Sequence, residues 1–304
     1  MKALLGSAVV TLCLGLGAPS FAWWGPGHME IAAQAYGQLD PEVRETVDRL
    51  IKFHPEYAKW TANLPDENKA QIAFMRASTW ADDIKNDPEY TRDNVDEPTA
   101  GRNIGYADHL IHDYWHHIDI PFSPDGTEVT PPDVPNALTQ IEALSTTLAS
   151  DASDDLKSYD VVWLVHLVGD LHQPLHATTR FTDGLDDDRG GNAETVQPTS
   201  GPAVTLHAYW DGLLGDGLPP TQAISVAEDL PEPDPMEVAI DDPTLWVIES
   251  FTIAQNDAYT GLIGPGAGPF RLTRDYEAKA LMIAQGRAAL AGARLARLLN
   301  ASLK

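Results

Sequence analysis

The stretch HLVGDLHQPLH, residues 166–176, constrains this chain more than any other. It closes a run of apolar residues (Val161, Val162, Leu164, Val165, Leu167, Val168) that reads as a buried helix. Yet His166 and Asp170 stand one helical turn apart on the same face. A buried carboxylate with no partner costs several kcal/mol, so that face has to meet compensating charge. A His–Asp pair satisfied within the core is one reading, and a bound metal ion is the other.

The chain begins with Lys2, then ALLGSAVVTLCLGLGA, then Ser20-Phe21-Ala22. A basic start, a short apolar core and small residues at the cut describe a secretory signal over residues 1–22, which leaves Trp23 as the first mature residue. The run is too short and glycine-interrupted for a membrane span, so a secreted or periplasmic protein without stable membrane association is expected. The one cysteine, Cys13, lies in this leader. An exported chain without disulfides depends on its core, here about 280 residues, and on any metal it binds. The formal charge is −25, and −26 once Lys2 is removed. Phosphate recognition normally uses Lys and Arg, so a nucleic-acid substrate would need positive charge from another source.

Helical periodicity recurs and strand alternation is scarce, which predicts an all-α fold in a single domain, 23–304. Helices are expected over 29–39, 41–53, 69–82, 136–149, 159–171, 206–214, 243–259 and 274–300. Asp40 is the expected cap of the second. The last reads as an Ala/Leu face on the core with Arg on the other side. Loops rich in Pro, Gly and Asp fill 87–105, 121–135, 177–204 and 215–242; such lengths point to function.

Further segments offer metal-ligand chemistry. WWGPGH supplies His28, STWADDIK supplies Asp82, and LHAYWD supplies His207 and Asp211, again four apart. HLIHDYWHHID supplies His109, His112, His116, His117 and Asp119. The α-amine of Trp23 titrates low enough to bind an ion. Each has a plainer reading: a surface acid for Asp82, a surface pair for His207–Asp211, an amphipathic helix face for His109, His112 and His116. Their coincidence in one cysteine-free chain favours several metals sharing carboxylates.

Together the segments resemble the zinc-dependent single-strand nucleases and 3′-nucleotidases of fungi, plants and bacteria, the S-one/P-one type. The matching pieces run in order from Trp23 to Asp211: an N-terminal Trp with His five residues on, W-A-D, H-x-I-D, H-x-x-x-D-x-x-Q-P-L-H, G-G-N and L-H-x-x-W-D. GARLARLLN looks like the closing helix. The resemblance implies three zinc ions. One takes Asp82, His116, His166 and Asp170; a second takes the amine and carbonyl of Trp23, His28 and the other oxygen of Asp170; a third takes His176, His207 and Asp211. His172 is left for support or packing. Asp82 and Asp170 are the catalytic carboxylates in this scheme, as ligands.

Three dications against three aspartates leave roughly three positive charges in one cleft, which reconciles an acidic chain with a phosphate substrate. The implied reaction is attack of metal-activated water on phosphorus, giving 5′-phosphates without a protein nucleophile. The implied partners are single-stranded DNA, RNA and 3′-mononucleotides, acted on by a monomer, with a base pocket that includes Asp119 and Asn192. The chain departs from the family pattern in three places. His117 stands where many relatives have Phe or Tyr, Lys85 stands where they often have Arg, and the loop 177–204 places Arg189 beside the pocket. A zinc-dependent phospholipase C is the nearest rival, but its spacing from the N-terminal Trp to the first His is longer. A non-catalytic exported zinc-binding protein is the rival of another class.

Overall fold

Residues 154–171 form the helix around which the molecule is built. The computed structural model describes residues 23–184, 187–266 and 268–304; the expected leader 1–22 lies outside them. Eleven α-helices among the described residues are α1 (Gly25–Gly37), α2 (Pro41–Leu50), α3 (Tyr57–Trp60), α4 (Asp66–Asp83), α5 (Ala137–Leu148), α6 (Asp154–Leu171), α7 (Leu206–Asp211), α8 (Pro220–Glu228), α9 (Pro235–Val238), α10 (Pro243–Ile253) and α11 (Arg274–Ser302). The architecture is mainly helical, as expected, with strands of two or three residues added. These are β1 (Ile120–Phe122), β2 (Thr178–Arg180), β3 (Thr195–Gln197), β4 (Val204–Thr205) and β5 (Phe270–Arg271).

Ser153 caps α6 through its side chain, and Asp154 and Asp155 sit in the first turn, where the helix dipole favours them. From Ser158 to Leu171 every residue is buried, which follows from a helix apolar on all sides. Helices α5, α4, α2 and α11 pack around it. Its last carbonyls are accounted for: His172 Nδ1 donates to Val168 O at 2.8 Å, Ser250 Oγ to Leu171 O at 2.6 Å, and Arg287 Nε to His172 O at 3.3 Å.

Several expectations require correction. Helix α1 begins at Gly25, ahead of the predicted 29: glycines that read as breakers sit in a first turn with Pro26. Asp40 precedes α2, but its side chain makes no cap bond and instead meets Lys304 at 3.1 Å. The predicted loop 215–242 contains α8 and α9, whose prolines lie in first turns, where a missing N–H costs nothing. On α11, Arg297 does face out, toward Asp241, but Arg287 and Arg294 are 6% and 1% exposed. Glu249 pairs with both, at 2.8 and 2.7 Å, so their charge is carried inside. Finally, the 109–116 segment is no helix face. His109 and His112 both have φ of 51°, in the left-handed region, and only a 3₁₀ turn, Asp113–Trp115, separates them from His116.

Candidate metal centre

Three elements converge on the C-terminal half of α6. Asp82 comes from the last turn of α4 and His28 from the first turns of α1. His116 follows the 3₁₀ turn and is drawn in by parallel pairing of β1 with β2, register Ile120↔Thr178. That pairing extends into the site, because Ile118 N donates to His176 O at 2.9 Å and His176 Nδ1 donates to His116 O at 2.7 Å. One strand pair therefore fixes ligand candidates from two distant segments.

The side chains form three groups able to hold an ion: Asp82, His116 and His166; His28, His166 and Asp170; and His176, His207 and Asp211. All are buried, Asp82 being the most open at 6%. Asp170 stands between the first two groups. Its Oδ2 is 2.9 Å from His116 Nδ1 and 3.2 Å from His166 Nε2, while its Oδ1 is 3.2 Å from His28 Nε2. The His28 and His166 rings stack at 4.0 Å. This close stacking depends on Gly169, where a Cβ would fall 2.9 Å from His28 Nδ1. In the third group His207 Nε2 lies 3.4 Å from Asp211 Oδ2, and His176 Nε2 3.9 Å from Asp211 Oδ1.

The donor set fits metal. His166, His176 and His207 each use Nδ1–H on a backbone carbonyl: Ser78 O at 2.6 Å, His116 O at 2.7 Å and Gly190 O at 2.7 Å. Each Nε2 is then left with a lone pair directed at the cluster. His176 Nε2 and His207 Nε2 face one another at 3.1 Å, two acceptors with no proton to share. Two nitrogens each about 2.1 Å from one tetrahedral ion would stand only slightly farther apart. His28 Nε2, His116 Nε2 and Asp170 Oδ1 are likewise buried and make no hydrogen bond.

The electrostatics agree. Burial alone would push the Asp82 carboxyl up, but Lys85, 2.8 Å away, with His166 and His116 outweighs it and holds the pKa at about 2. Burial, and then Lys85, lowers His116 to about 3. Burial lowers His207 to about 4 and raises Asp211 well above its ordinary value, with Gln173 in partial opposition. His166 moves the other way: burial disfavours its charge, but Asp170 and Asp82 outweigh burial and raise it above its ordinary value. Buried imidazoles and carboxyls crowded this closely make up a ligand set that a cation would compensate.

The other expected site residues are placed as follows. Trp23 is fully buried, two residues before α1, and Trp24 N donates to Asp211 O at 3.0 Å. Cleavage before Trp23 falls on the boundary with residues outside the described set. Lys85 is on Asp82, with its side chain 4% exposed, and so lies inside. His117 Nδ1 meets Asp119 Oδ2 at 2.8 Å. The two line a groove of about 300 Å³ with Tyr114, Asp133, Phe181 and Asp187. Asn192 is outside that lining, and its Nδ2 donates to Arg189 O at 2.9 Å. His172 takes no part in the clusters; its Nε2 accepts from Arg294 at 3.0 Å.

The residues that sequence reasoning passed over are those that aim the ligands. Gln173 Nε2 donates to Asp211 Oδ1 at 2.6 Å. Its place in QPLH was the available signal. Ser78 and Gly190 act through backbone carbonyls and leave no side-chain signature.

A helical frame carries three buried His/Asp groups able to hold ions, beside a groove lined by His117 and Asp119. The family model described as S1/P1 Nuclease matches residues 23–304, and the chain belongs to that family. It is therefore a nuclease, a hydrolase of phosphodiester bonds. Comparison with curated proteins returns no significant match.

Proposed function

We propose that this chain is an exported, zinc-dependent endonuclease. It hydrolyses single-stranded DNA and RNA to 5′-phosphate products and also acts on 3′-mononucleotides. The observation that carries the reading is the set of three His/Asp groups, two of them sharing His166, with Asp170 between. Asp82, His116, His166 and Asp170 would hold one zinc; His28, Asp170 and the Trp23 terminus a second; and His176, His207 and Asp211 a third. Zinc there would supply Lewis-acid stabilisation of phosphoryl charge and a nucleophile from water at neutral pH.

The chain's own residues do the rest. Lys85 keeps Asp82 ionised, and three carbonyls fix the imidazole tautomers. Asp119 offers an acceptor to a base edge, with His117 as the ring beside it. A centre this buried is out of reach of a stacked duplex, whereas a splayed strand can enter it. No helix among the described residues is long and apolar enough to cross a membrane.

The test is metal stoichiometry on protein beginning at Trp23, alongside digestion of single-stranded and duplex DNA and of phosphatidylcholine. About three zincs, with cleavage confined to single strands, is the expected result. Phosphatidylcholine turnover without DNA cleavage would overturn it in favour of a phospholipase. Zinc content with no hydrolysis would leave only a metal-binding protein.

A further inference from the structure

Arg189 occupies a costly conformation at a telling position. Its φ is +54°, in the region that disfavours side chains, and it precedes Gly190 and Gly191, both also at positive φ. Such outliers persist only where neighbours over-determine them. Here Arg189 N donates to Asp187 Oδ1 at 2.6 Å, and Arg189 O accepts from Asn192 Nδ2 at 2.9 Å. Asp188, fully buried, accepts at Oδ1 from Arg180 N at 2.8 Å and from Thr179 Oγ1 at 3.1 Å. Ala193 N closes the turn on Asp188 O at 3.0 Å. The backbone of Arg189 is tied on both sides, while the residue itself is exposed.

The turn joins two parts of the site. On one side Asp187 lines the groove, whose described lining carries Asp119, Asp133 and Asp187 and no Lys or Arg. On the other side Gly190 O receives His207 Nδ1–H at 2.7 Å, and a Cβ at Gly190 would meet Leu175 O at 2.6 Å. Arg189 therefore stands where a strand would pass between the groove and the His176–His207–Asp211 group. Lys85 is buried against Asp82 and cannot serve the outer strand. A polynucleotide crossing a rim of carboxylates needs a cation there, and no ion pair of the Arg189 guanidinium is found among the described residues.

We propose that Arg189 binds a backbone phosphate flanking the scissile one and so makes the enzyme favour polynucleotides over mononucleotides. This rests on the nuclease reading above. The test compares Arg189→Ala, Arg189→Lys and Arg189→Gly with the zinc-loaded parent. An oligodeoxythymidylate and a 3′-mononucleotide serve as substrates, and a phosphorothioate oligonucleotide serves for binding. Arg189→Ala should lower the oligonucleotide-to-mononucleotide ratio of kcat/KM about five- to tenfold and weaken phosphorothioate binding similarly. It should also make the dependence of log Kd on log salt shallower by about 0.7. Arg189→Lys should restore the salt slope, because it keeps the charge, and only part of the affinity, because it loses the bidentate fork. Arg189→Gly, which suits the φ, should match Arg189→Ala in binding while melting no lower than the parent. An equal fall on both substrates, or an unchanged salt slope, overturns the proposal. A parent that binds the phosphorothioate through Arg189 but cleaves nothing would overturn the nuclease reading instead.

Discussion

At Gln173 the amide divides its two ends between Leu175 N and Asp211 Oδ1, each at 2.6 Å, in a fully buried position. Among the described residues no Lys or Arg is paired with Asp211, so this donor is what aims its carboxylate. Outer contacts of this kind typically contribute 10–100-fold in metal affinity. Gln173→Ala should therefore weaken one zinc of the set by that factor and leave the others bound. On the proposed three-zinc reading, chelator competition resolves the affinities, and equal weakening of all of them would contradict the assignment.

His112 is a residue of a different kind. It lies 2.7 Å from Asp93 Oδ2 and 3.1 Å from Asp108 Oδ2, stacks on Trp115 at 3.8 Å, and shares Asp93 with the Tyr114 hydroxyl. Burial disfavours its charge, but Asp108 and Asp93 outweigh burial and raise its pKa above the ordinary value. A raised folded pKa gives stability that is complete below the unfolded value near 6.5 and is lost as pH rises through the folded value. His112→Gln should cost about 3 kcal/mol at pH 6, because it removes the cation shared by two carboxylates and leaves them only neutral donors, among them Tyr114 on Asp93 and Tyr159 on Asp108. The gap from the parent should narrow by pH 8.5, as measured by denaturant melts. A gap that widens with pH would show that His112 is neutral.

On the scale of elements, α6 contradicts a usual rule. Replacing a mid-helix glycine with alanine normally stabilises by roughly 0.5–1 kcal/mol. Gly169→Ala should do the opposite here, because the new methyl would displace the His28 ring from His166. The expected result is loss of one zinc with retained helicity; a more stable, fully loaded variant would refute it. The same elements show what the sequence makes legible. His166–Asp170 and His207–Asp211 were readable because helical spacing puts residues four apart on one face. His109, His112 and His116 mimic that spacing, but two left-handed residues break the helix, and no pattern of residue types reveals φ. Arg287 and Arg294 looked like a solvent face because periodicity assigns charge outward. Tertiary partners make their burial tolerable: the Glu249 carboxylate on α10 carries the opposite charge, and His172 accepts from both. Prolines in α8 and α9 hid helices for a local reason, since Pro marks both loops and first turns.

Across the whole molecule, an acidic chain of net charge −25 buries Asp82, Asp170 and Asp211 together, with Lys85 set against Asp82. Cations in the clusters would belong to the core as much as to the chemistry. A ligand at 1,000 times its Kd stabilises the native state by about 4 kcal/mol, which is roughly 10 °C of Tm in a chain of this size. Chelation should lower Tm by at least that much, and zinc should restore it. A Tm indifferent to chelation would mean that the clusters hold without ions.

The carbonyls that end α6 draw their partners from far along the chain, Ser250 on α10 and Arg287 on α11, while His207 and Asp211 arrive on α7. The ligand candidates are complete only at Asp211, and the contacts that close the end of α6 come later still, from residues 250 and 287. A chain emerging from its N-terminus first has α6 ready well before the groups that close its end, so the centre is completed late and all at once. For a hydrolase of nucleic acids made in a cell full of RNA, lateness is a safeguard. A copy that stops before α7 lacks His207 and Asp211 and with them the third group.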